Sequence, residues 1–138
     1  MKTLEMTKEE ALAKFLDCEV DDISVTKYDD DTFDAPYGEY MVLTDEEADR
    51  KAKDYILDTA WTFNASFLVG HVPDGVTEDI LSMISEKCED GNSAMLGLIQ
   101  DHDAFVDDAI SAEGRGPFLS TYDGEENEQG EYYIYRVN

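Results

Sequence analysis

The chain has 138 residues, 34 acidic against ten basic, for a formal charge of −24. That balance excludes a basic phosphate-binding surface and, with it, direct association with nucleic acid. An apolar content of 42%, including eight Tyr, six Phe and one Trp, excludes a disordered acidic tail, so a folded body must carry the acids although their repulsion opposes its compactness.

The length suits one domain, which can bury roughly two-thirds of its unfolded surface without staples. Acids run throughout: residues 17–34 hold eight against Lys27, 74–90 hold six against Lys87, and 101–131 hold ten against Arg115. Cys18 and Cys88 stand 70 positions apart with no neighbouring His, which reads as two small buried hydrophobes in a reducing cytosol, a disulfide being the alternative. No signal-peptide core or run of about 18 apolar residues is present, so a soluble cytoplasmic protein without membrane contact is expected.

In chain order, Thr7 and Glu10 form a capping-box pattern ahead of Leu12, Phe15 and Leu16, predicting a short helix over about 7–17. The alternation of Ile23, Val25, Tyr28 and Phe33, then Tyr40 to Leu43 after the turn signal Pro36-Tyr37-Gly38, predicts two or three strands. Thr44 and Glu47 open a second capping box. Behind it Ala48, Ala52, Tyr55, Ile56, Thr59, Phe63 and Phe67 recur at helical spacing, predicting a core helix of about six turns that ends near Gly70. Thr77 caps a further helix with Ile80, Leu81, Met83 and Ile84. Asn92 or Ser93 caps the next, and Phe105 to Ile110 forms a third that stops at Gly114. The period then changes: Phe118 to Tyr122 and Tyr132 to Val137 read as a C-terminal hairpin around a long acidic loop, Asp123 to Gly130. Strands at both ends with helices between predict an α+β domain, an antiparallel sheet of about three to five strands with helices on one face.

Motifs that carry chemistry are missing. The two histidines, His71 and His102, with two distant cysteines do not make a zinc set. Asp29-x-Asp31 and Asp123 to Glu128 lack the ligand and glycine positions of an EF-hand, so no metal or other cofactor is expected. No Ser, Thr or Cys carries a nucleophile signature, and Gly114-Arg115-Gly116-Pro117 lacks the Lys and Ser/Thr of a phosphate loop. Arg115 and Arg136 read instead as ion-pair partners that relieve acid crowding.

Two stretches, LTDEEADRKAKDYILDTAWTFNASFL over 43–68 and DAISAEGRGPFLSTYDGEENEQGEYYIYRVN over 108–138, resemble small acidic proteins of unknown function encoded by bacteriophages and related mobile elements. The resemblance brings no catalytic residues. It implies a bacterial host whose machinery such accessory proteins bind.

Charge without a catalytic constellation points to a non-enzymatic interaction protein. In this reading it is a DNA mimic occupying the basic nucleic-acid-binding surface of a host protein such as a restriction enzyme or CRISPR effector. The alternatives are an accessory protein whose charge serves solubility, and a carboxylate-based enzyme or small-ligand protein. Phosphate surrogates are sought where the neighbouring sequence offers few bases: Asp101, Asp103, Asp107, Asp108 and Glu113, then Asp123, Glu125, Glu126 and Glu128, then Asp29, Asp30 and Asp31.

Overall fold

The computed structural model describes residues 6–27 and 29–138; residues 1–5 and Tyr28, part of the alternating stretch, lie outside them. The chain divides into two compact units. The first takes the described residues up to Ala52 together with Gly114–Asn138, and the second is Lys53–Glu113.

The first unit is a sheet with one long-range closure. Helix α1, Lys8–Leu16, starts with the expected capping box: Glu10 N–H donates to Thr7 Oγ1 at 3.1 Å, and Thr7 N–H donates to Glu10 Oε1 at 3.1 Å. Strands β1 (Ser24–Val25), β2 (Thr32–Ala35) and β3 (Gly38–Thr44) follow, then β4 (Asn127–Gln129) and β5 (Tyr132–Arg136) from the other end of the chain. All pair antiparallel in the order β1-β2-β3-β5-β4, so the terminal hairpin docks on β3, with Val42 opposite Ile134. Alternation assigns the faces. Phe33, Tyr40, Val42, Tyr132 and Ile134 form one core with Ala11, Leu12 and Ala13 of α1. Met41, Leu43 and Tyr135 are buried on the opposite face.

The hairpin is tighter than expected. The segment read as a strand, Phe118 to Tyr122, begins instead as a short helix, Gly116–Leu119, with Pro117 in its first turn. Ser120 Oγ then donates to the Arg136 carbonyl at 2.6 Å, which pins this segment beside β5 without a ladder. Part of the presumed loop is strand β4, because Gly130 at φ +64 permits a two-residue turn between Gln129 and Tyr132.

The second unit is helical. Helix α2, Asp45–Asp58, begins in the first unit with the second capping box, Glu47 N–H donating to Thr44 Oγ1 at 3.2 Å and Thr44 N–H to Glu47 Oε1 at 2.9 Å. It does not continue to Gly70 as its periodicity suggests. Thr59 leaves helical geometry at φ −122, and a 3-10 turn (Ala60–Thr62) and a four-residue helix α3 (Ala65–Leu68) replace the remaining turns. Two causes are visible. Thr59 and Thr62 turn their hydroxyls onto the carbonyls of Tyr55 and Thr59, each at 2.7 Å, competing with the backbone ladder. The side chain of Asn92 also accepts from Trp61 N–H at 3.1 Å and donates to the Leu57 carbonyl at 2.9 Å, satisfying groups a continuous helix would have used. Asn92 is thus spent on a tertiary bridge rather than as a cap.

Helices α4 (Glu78–Ser85), α5 (Asn92–Leu98) and α6 (His102–Glu113) follow, the short helix at Gly116–Leu119 becoming α7. Gly91 permits the turn between α4 and α5, since a Cβ there would lie 2.3 Å from the Ile84 carbonyl oxygen. Ile56, Leu68, Leu81, Met95 and Phe105 are fully buried, and Phe63, Phe67 and His71 gather around Phe105 at centroid distances of 5.1, 5.8 and 5.4 Å. The rings of Trp61 and Phe63 are only half-buried, and Trp61 Nε1 is buried with no hydrogen-bond partner.

Neither cysteine is a buried hydrophobe. Both are free; Cys18 is half-buried and Cys88 is exposed, in a left-handed conformation at φ +56 beyond α4. Burial, then Asp22, Glu19 and Asp17, raise the Cys18 thiol above its ordinary range, making it a weak nucleophile at neutral pH.

Candidate functional site

Helix α6 carries four acids and no Lys or Arg of its own. Its apolar side chains Phe105, Val106 and Ala109 turn inward, which leaves Asp103, Asp107 and Asp108 exposed on the other side, with Asp103 and Asp107 one turn apart. Asp101 stands at the helix start, where its Oδ1 accepts from Ala104 N–H at 3.1 Å and its charge faces the positive end of the backbone dipole. Glu113 is exposed at the far end.

Bases reach this helix from elsewhere in the unit. Lys53 Nζ lies 2.6 Å from Asp103 Oδ1, and that hydrogen bond holds the Asp103 carboxyl below the usual range. His71 Nε2 donates to Asp108 Oδ2 at 2.8 Å while its ring stays against Phe105. His102 Nε2 donates to the Leu96 carbonyl at 2.8 Å.

The other two sets lie in the sheet unit and are partly consumed there. Glu126 Oε1 accepts from Arg115 Nε at 2.8 Å and from the Tyr135 hydroxyl. Arg115, 9% exposed, also reaches Asp45 Oδ1 and Asp49 Oδ1, each at 2.9 Å, and its guanidinium lies 4.7 Å from the Tyr133 ring centroid. Burial and the bond to Glu126 push the Tyr135 hydroxyl well above the ordinary tyrosine range, so it remains a donor. Asp123 accepts from Ser120 Oγ at 2.8 Å and from Glu125 N–H at 3.0 Å, shaping its turn. Glu125 and Glu128 are exposed.

Of the third set, Asp30 is exposed but its neighbours are held. Asp29 accepts from Asp31 N–H at 2.9 Å and Thr32 Oγ1 at 3.1 Å, with Lys51 Nζ at 3.6 Å. Lys8 Nζ donates to Asp31 Oδ1 and Glu47 Oε1, each at 2.7 Å. Burial works against the Lys8 ammonium, but these two bonds outweigh it and raise its pKa; burial likewise opposes the Glu47 carboxylate, yet Lys8 and Thr44 lower its pKa.

The sequence therefore locates the acids but misses their tethers. Arg115 is the ion-pair partner that was expected. Its acids Asp45 and Asp49 are four apart on α2, and that spacing was the available signal. Arg136 instead donates to the carbonyls of Tyr37 and Asn138 and stacks 3.8 Å from the Tyr122 centroid. Among the described residues no group of three or more His, Cys, Asp or Glu could hold a metal ion, and no helix is long and apolar enough to cross a membrane.

Comparison with family models, with curated proteins and with solved structures finds no match.

Proposed function

We propose that the chain is a non-enzymatic interaction protein whose carboxylates occupy the basic, nucleic-acid-binding surface of another protein. The supporting observation is where the charges go. Arg115 is buried and Lys8 half-buried among carboxylates, whereas Asp101 and, in α6, Asp103, Asp107, Asp108 and Glu113 are exposed. Five exposed acids at one helix, with Lys53 and His71 beside them, make a locally negative surface, and such a field speeds association with a basic partner. The two stretches similar to acidic phage proteins suit a partner in a bacterial host.

A second reading, that the charge serves solubility, draws on the tethering of Asp29, Asp31 and Glu126, which removes them from any phosphate-like array.

One experiment separates the two. The protein is immobilised, exposed to bacterial lysate at low salt and eluted with a salt step, and each eluted protein is tested for binding duplex DNA with and without the free chain. The interaction reading expects basic DNA-binding proteins that the chain displaces from DNA. It also expects Asp103→Asn/Asp107→Asn/Asp108→Asn to bind them more weakly with a shallower salt dependence. Capture of nothing, or partners that bind DNA and the chain together, leaves solubility as the role. The chain itself should give no mobility shift with DNA.

A further inference from the structure

Helix α4 folds with two of its four large aliphatic side chains exposed. Its sequence EDILSMIS carries four large aliphatic residues, yet only Leu81 is buried; Ile80 is 42% and Met83 66% exposed, and Ile84 is half-buried. Ile80, Met83 and Ile84 occupy the i, i+3 and i+4 positions of one helix face. With Glu86 and Lys87 they line an open groove of about 520 Å³. The other large apolar side chains of this unit, Tyr55 apart, are half-buried or buried, so a contiguous exposed ridge marks a recognition surface rather than ordinary surface scatter.

The rim defines what fits. Glu78 and Asp79 stand at one end of the ridge and Glu86, Glu89 and Asp90 at the other, all exposed, against Lys87 alone. An occupant must bring an apolar centre flanked by cations. A second copy fails this condition, because a two-fold contact would set the same acids against each other. The straight i, i+3, i+4 face suits the packing of another helix along α4, and the flexible thioether of Met83 can adapt to different apolar anchors.

We infer that the α4 ridge of Ile80, Met83 and Ile84, with its acidic rim, is a docking site for a basic amphipathic helix of a partner protein. This site is separate from α6 and does not require the partner to bind nucleic acid.

The test uses the full chain and a synthetic Leu/Lys peptide of about 18 residues with its leucines at helical spacing. A scrambled peptide of the same composition carries the same charge without the apolar face, and fluorescence anisotropy is measured at about 0.15 M salt. The ordered peptide should bind about tenfold more tightly than the scrambled one. Ile80→Thr and Met83→Gln should each shrink that preference and together abolish it, leaving the scrambled peptide's affinity unchanged. Both side chains are exposed, and circular dichroism confirms that the variants fold. Equal binding of the two peptides, or a preference that survives the double variant, overturns the inference. So does a dimer in sedimentation that Met83→Gln dissolves, since a second copy would then own the ridge. If DNA competition fails while the peptide preference holds, the proposed function falls and this site stands.

Discussion

In the sheet unit Arg115 is packed against three carboxylates and the Tyr133 ring, and Lys8 bridges Asp31 on one loop to Glu47 on α2. In the helical unit α6 and Asp101 before it present five exposed acids, met at Asp103 by an exposed lysine and at Asp108 by His71, while α4 leaves Ile80 and Met83 exposed. The same composition is thus used in two ways. Where acids and cations converge in partly buried ground, they tie strands, loops and helices that are distant in sequence. Where they stay in water each pair contributes little, because solvent screens it, and the surface remains available to a partner.

The largest effect expected from breaking this contrast is in the helical unit. Phe105→Ala removes a fully buried ring from the cluster with Phe63, Phe67 and His71 and should cost roughly 3–5 kcal/mol. Hydrogen exchange should quicken across 53–113 more than in the strands; equal quickening in both would dissolve the distinction between the units. In the sheet unit, Arg115→Met deprives Glu126, Asp45 and Asp49 of their cation. Asp45 and Asp49 are exposed and screened, so the cost should fall at roughly 2–4 kcal/mol in denaturant unfolding, below the full value of a buried pair. A loss of a few tenths would show the Arg115 cluster to be ornamental.

Acid sharpens the comparison further. Glu47 and Asp29 have carboxyl pKa values held below the ordinary 4.5 and 3.8, so their contribution is fully present above those values and disappears as pH falls through the lower folded ones. Glu47→Gln should therefore flatten the acid limb of a stability–pH curve followed by the tyrosine signal of the sheet. An unchanged limb would remove the Lys8 network from the account. The smallest effect belongs to Trp61→Phe. The change deletes an indole N–H that has no acceptor, which offsets the lost packing of a half-buried ring, and the stability change should stay within about 1 kcal/mol. A loss several times larger would mean that Nε1 is bonded in solution.

Both capping boxes, the strands before Thr44 and the β5 pairing that closes the sheet were legible in the sequence, because Thr/Glu spacing and period-two alternation act over a few residues. The residues of α6 facing inward followed from the same kind of local rule. The break of α2 at Thr59 did not, since the partner of Trp61 N–H and the Leu57 carbonyl is Asn92, far along the chain. The register of the hairpin also escaped, because Phe118 to Tyr122 has strand composition but is held by Ser120 on the Arg136 carbonyl. Composition by itself determined that the chain has the apolar content for a core and that its field is negative. Which acids face water and which are bound to Arg115, Lys8 or Lys51 was decided only by the tertiary structure. Coulomb attraction and burial depend on distances of a few ångströms, and those arise between residues as far apart as Asp45 and Arg115 only once the sheet has closed.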